Sequence, residues 1–348
     1  MLQSLQNQEI LNGYNFSRIA DVIFAINVPN EDLLQFNIKN YKVISKNELF
    51  TGFKLKKLNL KNGDVIFCNS SYTDLLFKYL KKFKEVTNLT LITTQSDTAI
   101  TKKIFLNRPQ NIKKWYAVNV DYKNSNLIPI PLGLANNYSP KNIRFKDLED
   151  FKFKQEEKIN KLYINLRSNT NIKERANLNK IFENKEWVVI KEPNLSIDQY
   201  INDLQKYKFI LCPWGNGVDT HRIWETLYCG SIPVTKKHIG LSFESLPIIS
   251  VNCFNDITIE RLIEISESQK SNYEALNISF WEGKIKSNNI ISNLNVESLN
   301  EIKYLEYIFW KKIKFNSFVE SKFKIIKFYL RKFTKKLYKL FQNSFFVR

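Results

Sequence analysis

The sequence has few of the residues that build disulfide frameworks or zinc sites. Only four of its 348 residues are Cys and only two are His. The cysteines, Cys68, Cys212, Cys229 and Cys253, form no C-x-x-C pair, and two of them fall in apolar runs where a free thiol acts as a small core residue. We therefore expect no disulfide framework and no zinc site, and we favour a reducing compartment.

Long apolar segments are also lacking. No run approaches the roughly 18 residues that a membrane span needs. The first residues, MLQSLQNQEI, do not join a basic region to an apolar one as a signal peptide would. The sequence therefore predicts a cytoplasmic protein.

What the sequence does contain is enough apolar material for real cores. Hydrophobic residues make up 43% of the chain and aromatic residues 14%, and the length suits two α/β domains of ordinary size. Strand patterns alternate with helix patterns, which predicts parallel sheets with right-handed crossovers. We predict one domain over residues 1–150 and a second over 151–300, joined by the polar segment 135–161. A helical tail over 301–348 follows, with the helical pattern beginning at Val296.

The scarce glycines cluster in one stretch, residues 207–235, YKFILCPWGNGVDTHRIWETLYCGSIPVT. An apolar run predicts a buried strand at 207–212, and Pro213, Gly215 and Gly217 predict a loop. A helix at 220–228 and a second strand at 231–235 follow. In an open parallel sheet, ligands bind beyond the carboxyl ends of strands, where a glycine loop and a helix N-terminus favour a phosphate group.

Polar residues of this stretch fit such a site. Asp219 is predicted to be the helix N-cap, which places His221, Arg222 and Glu225 in the first two turns. The helix dipole disfavours an Arg at this end, so Arg222 is expected to meet an anion. Glu225 could accept hydrogen bonds from ribose hydroxyls. The alternative is that Arg222 pairs with Glu225 and nothing binds, and the residues alone leave both interpretations open.

The pattern CPWGNGVDTHRIWETLYCGSIPV resembles the signature region of exostosin-like (family 47-type) glycosyltransferases. These end a strand in Pro-x-Gly, continue with Asp-x-x-Arg-x-x-Glu and close with Gly-x-x-Pro-Val. The resemblance covers about residues 160–255 and implies the GT-B architecture: two Rossmann-like α/β domains facing a cleft, with a nucleotide sugar held by the C-terminal one. Asp219, Arg222, Glu225, Gly230, Pro233 and Val234 stand at the matching positions. Our candidates for binding the nucleotide sugar are Gly215, Asn216, Gly217, Asp219, His221, Arg222 and Glu225.

Two further cations are candidates for the diphosphate. Arg167 follows a predicted strand at the same sheet edge as Gly215, and Arg175 lies in the first turn of the next helix. Together with Arg222 they could balance the charge of the leaving group, so we expect no metal and no other cofactor. The alternative is that Arg167 and Arg175 are surface cations, which is a common role in a chain with 53 Lys and Arg residues.

An inverting transferase needs a general base for the acceptor hydroxyl. Asp97 is the first candidate, because it ends the run LITTQSD just past a buried strand. Asp74 is the second, although it could equally cap a helix. His221 could also act as a base, but its helix places it with the phosphates. Asn119 and Asn216 could bind the sugar or the nucleotide base by hydrogen bonds.

The last residues of the chain are strongly basic. Residues 311–348 hold twelve Lys or Arg and one acid, Glu320, so they carry +11 of the net charge of +19. Their apolar residues follow helical spacing, a stripe that consists of Val319, Phe323, Ile326, Leu330, Phe333, Leu337 and Leu340. This pattern predicts that residues 315–348 bind an anionic membrane surface from the cytoplasmic side. The alternative is that the stripe packs on the N-terminal domain.

The sequence therefore predicts an inverting glycosyltransferase with a glycan or lipid-linked acceptor, working at the inner face of a membrane in surface polysaccharide synthesis. One alternative is a sugar transferase that acts on nucleic acid, but the charge is concentrated in the tail and we expect no nucleic-acid partner. A second alternative is a binding protein with a GT-B-like fold and no activity.

Overall fold

The computed structural model describes residues 9–136, 139, 142–149, 157–243, 246–269, 272–287 and 295–344. The chain divides into two compact units, residues 1–300 and residues 301–348. The first unit contains two larger sheets. The domain boundary predicted near residue 150 falls between them and stays a prediction.

The first sheet has seven strands in the order β10-β8-β6-β5-β1-β3-β2. The strands of this half are β1 Val22–Pro29, β2 Tyr41–Lys46, β3 Phe50–Leu55, β4 Lys57–Lys61, β5 Val65–Asn69, β6 Leu89–Thr94, β7 Ile100–Thr101, β8 Ile112–Ala117, β9 Val120–Asp121 and β10 Leu127–Pro129. From β10 to β1 the strands are parallel, whereas β3 and β2 are antiparallel to their neighbours. Strands β7 and β9 form a separate short pair.

The second sheet has five parallel strands in the order β12-β11-β13-β14-β15. They are β11 Ile159–Ile164, β12 Val188–Ile190, β13 Tyr207–Leu211, β14 Ile232–Lys236 and β15 Ile249–Val251. Strand β12 lies on one side of β11, and the later strands β13, β14 and β15 lie on the other side. The direction in which strands are added to the sheet therefore changes between β11 and β13. In doubly wound sheets, this switch point is where ligands bind, beyond the carboxyl ends of the two strands.

Helices connect the strands, and their apolar faces explain their positions. They are α1 Thr73–Leu80, α2 Lys102–Leu106, α3 Phe145–Glu149, α4 Ile172–Arg175, α5 Leu178–Phe182, α6 Ile197–Lys206, α7 His221–Tyr228, α8 Ile259–Ser268, α9 Ile278–Lys286 and α10 Lys303–Ser344. Helix α6 begins with a capping box of Ser196 and Gln199 and buries Ile201 and Leu204.

The core lies on both faces of the second sheet, as expected for parallel strands between helices. Alternate residues of β13 point to opposite faces. Phe209 and Leu211 join one cluster with Leu162, and Ile210 joins a larger cluster with Trp224. The larger cluster also contains residues of the first sheet, so within residues 1–300 the two sheets share buried apolar contacts.

Several predicted elements differ from the structure. Residues 296–300 form strand β16, paired antiparallel with β4, instead of the start of a helix. The helix predicted over 172–182 is divided into α4 and α5. The polar segment 135–161 is more than a linker, because Ile143 and Leu148 are buried in the larger cluster. Residues 137, 138, 140, 141 and 150–156 of that segment lie outside the described residues.

Residues 301–348 are a unit by themselves, built on the long helix α10. Where side chains are described, large apolar residues of this helix are exposed, including Phe315, Phe318, Phe323 and Tyr329. The tail stripe beyond Ile326 lies outside the described side chains. In the described ranges, none of the helices is both long and apolar enough to cross a bilayer.

Candidate functional site

A cavity of about 580 Å³ lies beside the loops that follow the carboxyl ends of strands from both sheets. Its walls include residues 165–170 after β11, 193–195 after β12, 215–222 after β13 and 95–97 after β6. The cavity therefore occupies the switch point of the second sheet and faces a loop of the first. Its size lies in the range of pockets that hold small molecules.

The glycine loop is tied down through its carbonyl groups. Arg175 donates from Nε to the carbonyl oxygen of Trp214 at 2.8 Å and from Nη2 to that of Pro213 at 3.1 Å. The Asn171 amide donates to the carbonyl of Gly215 at 2.8 Å. Burial, together with the neighbouring Arg222, lowers the pKa of Arg175 to about 10. Arg175 lines the cavity, but most of its donors hold the loop, so its main contribution is to position the loop.

Asn119 explains the glycine at position 217. It comes from the first half of the chain, and its side chain Oδ1 accepts a hydrogen bond from the amide of Asp219 at 2.9 Å. A Cβ atom at Gly217 would lie 2.8 Å from both Asn119 Oδ1 and Nδ2, closer than carbon atoms approach. The loop can therefore pack on Asn119 only with glycine at this position.

Helix α7 begins one residue later than predicted. The N-cap is Thr220, whose side chain makes no capping hydrogen bond, so the prediction that Asp219 caps the helix was wrong. The buried Asp219 carboxylate instead accepts hydrogen bonds from the amide of Leu132 at 2.8 Å and from Trp224 Nε1 at 2.7 Å. Burial raises the pKa of Asp219 to about 7, although these hydrogen bonds act in the opposite direction.

Glu225 also binds the first half of the chain. Its Oε1 accepts from the amide of Ile143 at 3.1 Å and its Oε2 accepts from the Tyr200 hydroxyl at 3.1 Å. Glu225 lines the cavity, but both carboxylate oxygens already have partners in the protein. A structural role for Glu225 is therefore shown by its contacts, while a contact with ribose stays a prediction.

Arg222 differs from its neighbours because its charge is not neutralised by a partner. It is half-buried and lines the cavity, and its guanidinium carbon lies 5.4 Å from the centroid of the Tyr200 ring. Nη1 is buried, and no described residue accepts a hydrogen bond from it. Burial acts to lower the pKa of Arg222, but Tyr200, Glu225 and other neighbours raise it above its usual range, so the cation persists.

The alternative in which Arg222 pairs with Glu225 does not occur. Both residues belong to the described part of the chain, and no ion pair or hydrogen bond joins them there, although they are one helical turn apart. Glu225 therefore lies near enough to raise the pKa of Arg222 but does not bind it, and Nη1 is left as a buried donor without a partner among the described residues, which is costly.

The other predicted residues divide between the cavity and the surface outside it. Arg167, Asn216, His221 and Asp97 line the cavity, and Asp97 is exposed in the loop after β6. Asp74 does not line the cavity. It lies in the first turn of α1, where the helix dipole favours a carboxylate, and its role as a second base stays a prediction.

Tyr200 was missed as a site residue because its spacing in α6 matched the apolar face of that helix. In the structure it lines the cavity between Arg222 and Glu225. Its pairing with Glu225 joins residues 25 positions apart, which helical periodicity does not predict. In the described ranges, no group of three or more His, Cys, Asp or Glu could hold a metal ion.

Comparison with known families gives a match in the part of the chain that carries the glycine loop. Residues 158–243 match the model of the RXYLT1 C-terminal domain. The matched segment runs from β11 to β14 and includes the glycine loop and α7, and it supports a glycosyltransferase family for this chain. No curated protein matches the chain.

Proposed function

We propose that the protein is an inverting, metal-independent glycosyltransferase of the GT-B type, which moves a sugar from a nucleotide-sugar donor to a glycan or lipid-linked acceptor in surface polysaccharide synthesis. The main support for this proposal is the position of the Arg222 guanidinium. It lies in the cavity at the start of α7, with a buried nitrogen that no described residue satisfies. A diphosphate is the anion that this position fits.

Other features of the loop support a diphosphate at the same place. The carbonyl groups of residues 213–215 accept hydrogen bonds from Arg175 and Asn171, so these oxygens are already occupied by protein donors. The amides of Asn216 and Val218 donate to no described residue, and the same holds for the amides of His221 and Arg222 at the start of α7, whereas that of Ile223 donates to the carbonyl of Thr220. Arg167, exposed on the facing loop, adds a second cation. Backbone amides and arginines together form a known kind of phosphate site.

The chemistry then follows from the position of the cations. The acceptor hydroxyl oxygen attacks the anomeric carbon, the new glycosidic bond forms, and the bond from that carbon to the diphosphate breaks. Arg222 and the loop amides stabilise the negative charge that develops on the leaving diphosphate. Asp97, in the loop of the first sheet that faces the cavity, takes the proton from the acceptor hydroxyl.

The GT-B arrangement is supported by the parallel second sheet, by the parallel strands from β10 to β1 of the first sheet, and by a cavity with walls from both sheets. On this proposal, residues 1–150 carry the acceptor side and residues 151–300 carry the donor side. The likeness to the RXYLT1 C-terminal domain falls within the donor side.

The test is whether nucleoside diphosphates stabilise the protein without metal. Common nucleoside diphosphates are added in EDTA, and the free energy of unfolding is measured. Stabilisation of about 2.7 kcal/mol is expected at a hundredfold excess over Kd. Loss of that shift in Arg222→Gln assigns it to the cavity. No shift with any common nucleotide would remove the basis of the proposal.

A screen of nucleotide sugars for hydrolysis and transfer separates the proposal from its two alternatives. Transfer onto glycan or lipid-linked acceptors supports it. Transfer onto DNA or RNA supports the nucleic-acid enzyme, and binding without turnover supports a binding protein.

We further propose that the enzyme works at the cytoplasmic face of a membrane, held there by residues 315–348. The described part of α10 exposes aromatic and aliphatic side chains among lysines, including Phe315, Phe318, Phe323 and Ile326. Basic residues near an anionic bilayer contribute about 1 kcal/mol each. A lipid-linked acceptor would be presented at that surface.

A further inference from the structure

His221, the first residue of α7, has its ring oriented by the backbone of the first half of the chain. Its Nδ1 lies 2.8 Å from the carbonyl oxygen of Gly133. A carbonyl oxygen can only accept a hydrogen bond, so Nδ1 carries a proton. In the neutral ring, the lone pair then resides on Nε2.

The carbonyl that sets this tautomer is held in place. Gly133 has a φ of +74°, in the left-handed region, and a Cβ atom there would collide with the backbone of Leu11. The next amide, that of Leu134, donates to the carbonyl of Leu11 at 2.8 Å. Since both flanking segments are fixed, the Gly133 oxygen cannot turn away, and Nδ1 keeps its acceptor.

Nε2 is the ring nitrogen left for a ligand. His221 lines the cavity and is half-buried, whereas Gly133 is not part of the cavity wall. No described residue bonds to Nε2, and Nε2 is not among the buried polar atoms that lack a partner. It is therefore accessible.

We infer that His221 presents Nε2 as a hydrogen-bond acceptor to a hydroxyl group of a substrate, and that it does not bind the phosphates. The inference rests on the proposed function, which supplies sugar and ribose hydroxyls at this cavity. An ionised phosphate oxygen has no proton to donate, so a lone pair on Nε2 repels it. A hydroxyl has such a proton and fits.

The hydroxyl can belong to the nucleotide sugar or to the acceptor. If it belongs to the donor, His221 selects donors that carry that hydroxyl. If it belongs to the acceptor, Nε2 takes its proton as the oxygen attacks the anomeric carbon and the diphosphate leaves. His221, and not Asp97, is then the base.

The tautomer can be measured directly because the chain has only two histidines. His238 serves as an internal control: its Nδ1 accepts from the amide of Gly240 at 3.1 Å, which places the proton of the neutral ring on Nε2. Long-range ¹H–¹⁵N NMR should therefore show opposite tautomers for the two rings, with His238→Asn used for assignment. A proton on Nε2 of His221 at about neutral pH would overturn the inference.

Two variants of the intact protein then locate the hydroxyl. His221→Asn keeps an amide donor near Nδ1 but lacks Nε2, and His221→Gln places an amide oxygen near Nε2. We expect His221→Asn to lose about tenfold in the step that uses the hydroxyl, with binding of inorganic pyrophosphate unchanged in both variants. Weaker pyrophosphate binding would show a phosphate contact and refute the inference, as would unchanged donor binding and transfer.

The donor binding and transfer activity of His221→Gln show whether the hydroxyl belongs to the nucleotide sugar or to the acceptor. Restored donor binding in His221→Gln assigns the hydroxyl to the nucleotide sugar. Intact donor binding with transfer lost in both variants assigns it to the acceptor, because an amide cannot take a proton. If the wild-type protein binds no nucleotide, the proposed function fails, while the NMR result still decides whether Nε2 is an acceptor.

Discussion

The carboxylate of Asp219 accepts a hydrogen bond from the amide of Leu132, 2.8 Å away, across the gap between the two halves of the first unit. Glu225 makes the equivalent contact with the amide of Ile143. The three charged residues of the Asp-x-x-Arg-x-x-Glu pattern therefore have different tasks. The two acids attach helix α7 to the backbone of residues 132 and 143, and of the three only Arg222 has a buried nitrogen without a hydrogen-bond partner among the described residues.

Because Arg222 and the two acids have different contacts, we expect Arg222→Gln to affect nucleotide binding more than stability. Arg222→Gln should weaken nucleoside diphosphate binding about 10- to 100-fold, since a charged hydrogen bond contributes roughly 1.5–3 kcal/mol. The stability of the free protein should change little, because the variant removes a buried nitrogen without a hydrogen-bond partner but also the contact of the cation with Tyr200. Calorimetric titration and urea unfolding measure the two quantities.

Two other arginines serve as controls for that experiment. Arg261→Gln alters an exposed arginine that also lies in the first turn of a helix, and it should change neither quantity. Arg175→Gln should lower stability, because the carbonyls of Pro213 and Trp214 lose their donors. If Arg222→Gln behaves like Arg175→Gln, with a destabilised fold and normal binding, Arg222 is a structural residue.

Gly217→Ala should destabilise the protein by about 1–3 kcal/mol, because the added methyl group meets the side chain of Asn119. Gly283→Ala is the matched control. Nothing lies within 4 Å of its added Cβ, and Ala in a helix is favoured over Gly by roughly 0.5–1 kcal/mol. Unfolding by urea measures both effects.

A double variant tests the cause of the Gly217 effect. Asn119 has a φ of +53°, which suits glycine, so Asn119→Gly removes the opposing side chain without backbone strain. Gly217→Ala should lower the free energy of unfolding by less in the Asn119→Gly protein than in the wild type. Equal costs in the two backgrounds would show that Asn119 is not the reason for glycine at 217.

The sequence predicted the elements of the second sheet well, because its strands are short apolar runs bounded by loops. Helix α7, predicted over residues 220–228, is observed over His221–Tyr228, since glycines precede and follow it in the sequence. The glycine loop and most cavity residues could be predicted because they directly follow strands that are recognisable as apolar runs. Strand order then brings Arg167 and Arg222 to one cavity.

What sequence reasoning missed depends on contacts distant in the chain. Asp74 and Asp97 both follow buried strands of the first sheet, and only the folded loops decide that Asp97 reaches the cavity. The pairing of β16 with β4 joins residues more than 200 positions apart, so residues 296–300 were assigned to the helix that follows. Gly133 gave no local signal of its contact with His221.

Asp219 should make stability depend on pH in a defined direction. Its folded-state pKa is raised by burial from 3.8 to about 7, so between these values the folded state holds a proton that the unfolded state has lost. Its contribution to the free energy of unfolding therefore falls as pH rises from about 4 to about 7, and then levels off.

Asp219→Asn removes this titration while keeping the shape of the side chain. The wild-type free energy of unfolding minus that of the variant should decrease across this range, as measured by urea unfolding at several pH values. A difference that rises with pH, or does not change, contradicts a raised pKa for Asp219.

Asp97→Asn should abolish sugar transfer and leave nucleotide binding intact, because Asp97 lines the cavity from the first sheet, away from the Arg222 loop. Thermal shift with a nucleoside diphosphate and a transfer assay measure the two properties. Asp74→Asn, outside the cavity wall, is the control and should retain transfer. Normal turnover in Asp97→Asn would place the base elsewhere in the cavity, with His221 the next residue to test.

Removal of residues 315–348 should release the protein from anionic vesicles while residues 1–300 stay folded, because they form a compact unit of their own. The segment carries nine Lys or Arg and one acid, and polybasic attraction of this kind weakens as salt screens it. Co-sedimentation with phosphatidylserine vesicles, at low and high salt, measures the binding.

The control for this truncation lowers the charge elsewhere. Changing Lys81, Lys82 and Lys84, which lie near one another after α1, to Gln removes surface charge from the first unit and should leave vesicle binding intact. Equal loss of vesicle binding in both variants would show that net charge alone explains the binding. An insoluble or unfolded truncation would support the alternative that the apolar stripe packs against the rest of the chain, since a packed stripe leaves its covering surface exposed when it is removed.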